Sequence, residues 1–131
     1  MKDEQNTDLE KTNKIFDIRE RGFAFAVRIV KLCKFLERKS DVSKAVLNQL
    51  LRAGTSVGAN LEESIAGQSK ADFIHKNSIS LKEARESSYW LRLILETSDF
   101  EENIAKGVRD LQTESLEIAN IIGTIIIKAK S

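Results

Sequence analysis

The chain has 131 residues, of which 41% are hydrophobic and 31% are charged, a composition typical of one globular domain. Its 21 basic side chains balance 20 acidic ones, so the net charge of +1 gives no overall attraction to nucleic acid or to an anionic membrane. The sequence contains no proline, which favours long, uninterrupted helices.

The cysteine count and the apolar stretches of the sequence bear on where the protein is located. Cys33 is the only cysteine, which excludes an internal disulfide and indicates a reducing compartment. The N-terminal stretch lacks the apolar run of a signal peptide, and the apolar stretch Ile118–Ile127 is too short to cross a bilayer. We therefore expect a cytoplasmic protein that does not bind a membrane.

The first predicted helix follows a polar segment. Residues 1–14 offer little to bury and predict a flexible arm, and helical periodicity runs from about Ile15 to Lys39. The expected apolar stripe contains Phe16, Phe23, Ala26, Val27, Val30, Cys33 and either Leu36 or Phe35. Because Cys33 lies in this stripe, we interpret it as a buried thiol rather than a reactive one.

Positive charge is concentrated in the same helix. Residues 21–39 hold six basic side chains and one acidic side chain, for a net charge of +5. The basic strip consists of Arg21, Arg28, Lys31, Lys34 and Arg38. A solvated face is one interpretation of this strip, and contact with an RNA or DNA backbone is the other.

The second predicted helix has an N-cap from Asp41 or Ser43 and ends ahead of a capping Gly67. Each glycine inside a helix costs up to about 1 kcal/mol relative to alanine, so Gly54 and Gly58 predict close approach of a neighbouring backbone. A phosphate-binding loop is disfavoured because no Gly-Lys-Ser/Thr follows. The predicted core face is Leu47, Leu50, Gly54, Val57, Gly58, Leu61 and Ile65.

The third predicted helix starts with a capping pattern from Ser69 to Asp72. Its inner stripe alternates spacings of three and four, as in helical bundles, and consists of Ile74, Asn77, Leu81, Ala84, Ser88, Leu91 and Leu95. A second apolar side carries Ile79, Trp90, Leu93 and Ile94. A helix that is apolar on two sides needs two partners, and we expect the second to be another subunit.

The fourth predicted helix extends from about Glu101 to Lys128, with Ser98 and Glu101 at the spacing of a capping box. Its stripe is Ile104, Val108, Leu111, Ser115, Ile118, Ile122 and Ile125, widened near the end by Ile121, Ile126 and Ile127. The width indicates either central burial or an oligomer contact. Together the four helices predict an all-α, antiparallel up-down-up-down four-helix bundle that forms one domain over residues 15–131.

Residues suited to catalysis are few. One His and one Cys disfavour a metal site, and nothing places Cys33 beside His75 as a nucleophile and base. Glu83 and Glu86 lie one turn apart and could act as an acid/base pair, but an ion pair of Lys82 with Glu86 is the ordinary explanation. We therefore expect no enzyme activity, no cofactor and no metal.

The polar groups of the second and third helices complement each other in charge and hydrogen bonding. Such groups could form a buried network that sets the register of helices or subunits. The predicted network and interface consist of Arg52, Ser56, Asn60, Glu63, Lys82, Glu83, Glu86, Tyr89 and Trp90.

Two stretches, QLLRAGTSVGANLEES and SKADFIHKNSISLKEARESSYWLRLILE, resemble the signature segments of the 23S rRNA-intervening sequence proteins, a family of four-helix bundles. The resemblance covers about Ile18 to Lys128. The positions that match the family pattern are Arg52, Gly54, Thr55, Ser56, Asn60, Glu63, Asp72, Phe73, Glu83, Ala84, Tyr89, Trp90 and Leu91.

The resemblance implies the same bundle fold and a homopentamer, which would account for the second apolar side of the third helix. It also implies a relation to the accessory variability protein of diversity-generating retroelements, a basic pentameric bundle that binds nucleic acid and a reverse transcriptase. This chain departs from that relative in its near-neutral charge. Two functions remain open: an oligomeric scaffold that binds a protein partner, and a nucleic-acid-binding accessory factor that uses the basic strip.

Overall fold

Four α-helices make up the part of the chain that the computed structural model describes, and this part contains no strand. The structure describes the backbone of residues 2–66 and 69–131, and the side chains of residues 17–66 and 69–131. No helix within these residues is long and apolar enough to cross a membrane. The helices are α1 (Lys2–Lys39), α2 (Lys44–Ala66), α3 (Lys70–Thr97) and α4 (Glu102–Lys130).

The start of α1 differs from the prediction. The helix begins at Lys2 rather than near Ile15, so the backbone over residues 2–14 is helical. These residues include neither glycine nor proline, and helix propensity alone allows the backbone to remain helical where no apolar periodicity marks it. The predicted flexibility of residues 1–14 stays a prediction, and the predicted cap at Gly67 lies outside the described residues.

The predicted apolar stripe of α1 is partly wrong: Cys33 and Leu36 are buried as expected, but Phe23 and Val27 are exposed. The buried side chains are Ile18, Phe25, Ile29, Cys33 and Leu36, whereas Phe23 is 55% exposed. Apolar residues cover so much of the circumference of α1 that the periodicity fits two faces, and packing against α2 selects the face that contains Gly22. The face with Phe23 and Val27 is therefore left facing outward.

Glycines bring α1 and α2 into close contact, as their spacing on α2 predicts. A Cβ atom added to Gly58 would lie 3.1 Å from the backbone carbonyl of Gly22, and one added to Gly54 would lie 2.8 Å from two side-chain carbons of the buried Ile29. Either helix would have to move to admit a methyl group. The close approach of the two helices thus depends on glycine, which has no side chain, at these positions.

Small polar side chains occupy much of the interior around α3. Ser80 is fully buried and its hydroxyl donates to the backbone carbonyl of Val57 on α2 at 2.7 Å. Asn77 is also buried and donates to the carbonyl of Phe73 at 2.9 Å. Ile94, which the sequence places on the outer side of α3, lies instead in the core, because the buried sector of α3 is wider than one stripe.

The predicted N-cap of α3 is confirmed, and the one predicted for α4 is not. The hydroxyl of Ser69 accepts from the backbone N–H of Asp72 at 3.1 Å, which caps α3 as expected. At the start of α4, Glu101 is the N-cap residue but makes no side-chain hydrogen bond to the helix. Ser98 ends α3 instead of opening α4, so the predicted capping box is wrong.

One hydrophobic core joins the four helices, with buried residues from each of them. Every helix packs against the next one in the chain, and α1 also contacts α4 over a smaller surface. The predicted core stripe of α4 is largely confirmed, since Val108, Leu111, Ile118 and Ile122 are buried. At the end of this helix Ile127 is 71% exposed.

The glycine contacts can be tested with matched alanine substitutions. Gly58→Ala should lower the free energy of unfolding by roughly 1–3 kcal/mol, since the new methyl group would press on the backbone at Gly22. Gly107→Ala is the control, because no atom lies within 4 Å of the added Cβ and the helix gains up to about 1 kcal/mol of propensity. Urea unfolding of both variants measures the difference, and equal effects would contradict the close-packing account.

Candidate functional site

An ion-pair cluster joins α2 to α3 at the position where the sequence predicts a polar network. The guanidinium of Arg52 donates to the carboxylate of Glu83 at 3.0 Å and also binds the carboxylate of Glu86. Its Nε donates to the side-chain oxygen of Gln49 at 3.3 Å. One cation on α2 thus holds two carboxylates that lie one turn apart on α3.

The two ends of this cluster differ in exposure. The side chain of Glu83 is only 10% exposed, whereas that of Arg52 is 47% exposed. The hydrogen bond that Arg52 donates to Glu86 is the largest of the effects that raise the pKa of Arg52 above its ordinary value, so the cation is permanent. The exposed guanidinium of Arg52 is thus the charged partner of the nearly buried carboxylate of Glu83. This arrangement favours a structural role over acid/base chemistry.

The other predicted members of the network do not join it. The hydroxyl of Ser56 and the amide of Asn60 donate to carbonyls of their own helix, at 2.6 and 2.8 Å. Glu63 pairs with Lys76 at 2.8 Å. Lys82 is exposed and makes no ion pair with any acid whose side chain the structure describes. The expected ion pair of Lys82 with Glu86 is therefore replaced by the Arg52 contact.

Two aromatic residues extend along α3 next to this cluster. The rings of Tyr89 and Trp90 meet edge to face, with centroids 5.1 Å apart and an angle of 73° between their planes. Tyr89 is 56% exposed, and Trp90 is half-buried against the core. The indole N–H of Trp90 is buried and donates to no acceptor that the structure describes.

The basic strip divides into a paired and an unpaired part. Arg21 binds Glu114 through two hydrogen bonds of 2.5 and 3.1 Å and reaches Glu117 at 2.8 Å, both on α4. Hydrogen bonding to Glu114 raises the pKa of Arg21 above its ordinary value. Arg21 therefore ties α1 to α4 and is not a free cation of the kind expected from the sequence.

Sequence reasoning missed the ties between helices made by Arg19 and Arg21. Arg19 binds Glu62 on α2, so the two arginines join α1 to both neighbouring helices. The sequence did contain a signal for the Arg21 contact. Glu114 and Glu117 lie three residues apart on one face of α4, and no basic residue stands three or four positions from either of them. Four members of the strip remain exposed without an ion pair to any described acid: Arg28, Lys31, Lys34 and Arg38.

The structure does not bring Cys33 and His75 together as a nucleophile and base. Cys33 is buried, its thiol donates to the carbonyl of Leu47 at 3.7 Å, and burial raises its pKa to about 11. His75 is exposed on another helix. In the part of the chain with described side chains, no three His, Cys, Asp or Glu residues are grouped closely enough to hold a metal ion.

Removal of Arg52 tests the α2–α3 cluster. Arg52→Ala should lower the free energy of unfolding by roughly 1–3 kcal/mol, because Glu83 would keep its buried position without a charged partner. Adding Glu83→Gln should recover part of the loss. Glu63→Ala removes an exposed ion pair and should change stability by no more than about 0.5 kcal/mol. If urea unfolding gave the same loss of stability for Arg52→Ala and Glu63→Ala, a structural role for the cluster would be contradicted.

Comparison with known proteins places the chain in a family. The sequence profile of the 23S rRNA-intervening sequence protein family matches residues 14–123. No curated protein matches the chain. A crystal structure of a protein of unknown function from the S23 ribosomal protein family of Bacteroides thetaiotaomicron VPI-5482 is similar to it, with 41% sequence identity and a TM-score of 0.75. That similarity covers 86% of this chain and 97% of the other. The chain belongs to the 23S rRNA-intervening sequence protein family.

Proposed function

We propose that this protein is a non-enzymatic, oligomeric helical bundle that acts as a scaffold or partner-binding module. The observation that carries the proposal is the aromatic pair on α3: Tyr89 is 56% exposed, and its ring packs edge to face against the half-buried Trp90. An exposed aromatic side chain beside a half-buried one is typical of the centre of a subunit contact.

The helix contacts support an antiparallel up-down-up-down arrangement. Gly22 faces Leu61 near the end of α2, whereas Cys33, later in α1, bonds to Leu47 near the start of α2. Between α2 and α3 the same reversal holds, since Glu63 pairs with Lys76 and Arg52 with Glu86. The short connections between successive helices agree with this topology.

The proposed self-association uses the outer side of α3 as the subunit contact. The outer side of this helix carries the exposed Tyr89 beside the half-buried Trp90, Ile79 and Leu93. An aromatic pair at the centre of a subunit contact supplies large apolar area with few rotatable bonds. A homopentamer is the assembly that the family resemblance favours. The buried thiol of Cys33 also agrees with a reducing compartment such as the cytoplasm.

Native mass spectrometry tests the assembly. The wild-type chain should appear as a homopentamer, and Tyr89→Asp should shift it to smaller species, because a charge would be buried in the subunit contact. Leu116→Asp is the control, since Leu116 is an exposed apolar residue on α4. A strictly monomeric wild-type protein, or equal masses for the two variants, would overturn the α3 interface.

A nucleic-acid-binding accessory factor is the second candidate, and the unpaired part of the basic strip favours it. Arg28, Lys31, Lys34 and Arg38 are exposed and lack acidic partners among the described side chains. In a symmetric oligomer each subunit would contribute these four cations, so a nearly neutral chain could form a strongly basic ring. The proposed relation to the retroelement accessory protein would agree with such a ring.

A salt series separates this candidate from a protein scaffold. Binding of a fluorescent single-stranded RNA or DNA should weaken by at least about tenfold between roughly 50 and 200 mM salt, because phosphate contacts release counterions. The double variant Arg28→Glu with Lys31→Glu should abolish binding, whereas Lys82→Glu on α3 should leave most of it. Absence of binding at low salt would exclude this function.

A further inference from the structure

One exposed face of α3 carries a tyrosine with cations on both sides of it. Its members alternate spacings of three and four, so they follow one line along the helix. Tyr89 is 56% exposed, and its edge-to-face contact with Trp90 supports the ring within its own helix. The α3 line, as we call this face, consists of Lys82, Arg85, Tyr89 and Arg92, all of them exposed.

The cations of the α3 line have no ionic partner among the described residues. The ion-pair cluster between α2 and α3 is one reason, because Arg52 binds Glu83 and Glu86. These are the only acids within four residues of the first two cations of the line. The third cation, Arg92, precedes Glu96 by four residues, the less favourable order for an ion pair on a helix. Three positive charges therefore surround the tyrosine without compensation.

A cavity of about 660 Å³ lies at the end of the bundle where two connections approach each other, residues 40–43 between α1 and α2 and residues 98–101 between α3 and α4. We call it the end cavity. Phe35 of α1 lines it and is 36% exposed, and Phe100 lines it from the second connection and packs against the core. Ile104 of α4 completes the apolar lining. The end cavity thus offers aromatic surface to a side chain from outside.

Charged side chains of both signs line the end cavity, and none of them forms an ion pair with a described residue. The lining has three acids and two bases, so one negative charge is in excess. Free carboxylates beside an apolar lining suit a partner surface that is apolar in the middle and cationic at its edges. The charged lining consists of Asp41, Asp99 and Glu101 and of Arg38 and Lys39.

Contacts across α2 place parts of α1 and α3 at one level of the bundle. Gly54 of α2 lies against Ile29 of α1. Two residues earlier on α2, Arg52 binds Glu86 of α3. Because these two positions on α2 are only about 3 Å apart along its axis, Ile29 and Glu86 lie at nearly the same level.

The α3 line and the end cavity are close to each other in level. At about 1.5 Å of rise per residue, Phe35 lies about 9 Å beyond Ile29 along α1, and Tyr89 lies about 5 Å beyond Glu86 along α3. In the proposed up-down arrangement α1 and α3 point the same way. Rotation about an axis parallel to the helices preserves level, so a ring can place the α3 line of one copy beside the end cavity of the next.

We propose that the α3 line of one copy binds at the end cavity of the next copy in the assembly. The ring of Tyr89 would lie against Phe35 and Phe100. The cations beside it would pair with Asp99 and Glu101. An aromatic anchor in a pocket supplies affinity, and complementary charges fix the register. The inference rests on the proposed self-association through α3 and names the surface that α3 contacts.

Other partners for the α3 line match fewer of these observations. Contact with the α3 line of a second copy would set cations against cations. A nucleic-acid backbone would suit the cations but would leave the excess acid of the end cavity without a partner. The end cavity of a second copy offers both aromatic surface and free carboxylates, close to the level of the line.

Charge reversal on the two surfaces tests the contact by native mass spectrometry of the full chain. Arg85→Glu with Arg92→Glu reverses the α3 line, and Asp99→Lys with Glu101→Lys reverses the end cavity. Each pair should raise the protein concentration needed for assembly by at least about tenfold, because like charges would meet. A chain with all four substitutions should assemble again, since the charges of both surfaces are exchanged. A chain that is not rescued in this way would overturn the proposal.

Matched exposed residues test the aromatic part of the contact. Phe35→Ser should weaken assembly by at least about tenfold, whereas Leu51→Ser removes an equally exposed apolar side chain from α2 and should not change it. Lys70→Glu with Lys130→Glu, at the opposite end of the bundle, is the control for reversing two charges. Circular dichroism checks that every variant keeps its helices. Equal effects of Phe35→Ser and Leu51→Ser would overturn the end cavity as the binding surface.

The outcomes separate this contact from the proposed function. A monomeric wild-type chain would overturn self-association and the contact together. An assembly that Tyr89→Asp disrupts but both charge reversals leave intact would overturn the contact alone. If Arg85→Glu with Arg92→Glu abolished binding of a single-stranded RNA and left the native mass unchanged, the α3 line would serve nucleic acid and the proposal would fail.

Discussion

The close crossing of α1 and α2 is the contact on which the rest of the structure depends. Gly22 and Gly58 meet backbone to backbone, and Gly54 receives the side chain of Ile29. This contact selects which side of α1 is buried and therefore turns Phe23 outward. The exposure of Phe23 is thus a consequence of the same glycines that pack the core, since a larger residue at Gly58 would move the helices apart.

Charged residues define how the outer parts of the helices meet. Arg19 and Arg21 bind glutamates on both helices next to α1, and Arg52 holds the nearly buried Glu83 between α2 and α3. The pairs Arg21–Glu114 and Arg52–Glu83 are partly buried, which strengthens the ion pair, whereas the pair Arg19–Glu62 is exposed. The charges therefore act mainly to align helices.

The surfaces left over after these contacts differ in character. The outer side of α3 carries the exposed Tyr89 beside the half-buried Trp90. The outward face of α1 carries the exposed Phe23 and Val27 and basic side chains that make no ion pair with a described acid. Among the described residues α1 and α3 do not pack against each other. The proposed subunit contact on α3 and the proposed nucleic-acid contact on α1 would therefore not compete for one surface.

Local sequence determined the helices, most of their boundaries, the core of α4, the Ser69 cap and the need for close packing at Gly54 and Gly58, because these follow from periodicity and from single-residue preferences. The complementary charges of Arg52, Glu83 and Glu86 also predicted the contacts that these residues make. Only the tertiary structure decided which face of α1 is buried and which cations remain free. A helix that is apolar over a wide sector fits two registers equally well, and the pairing of Arg21 with Glu114 depends on residues that only folding brings together.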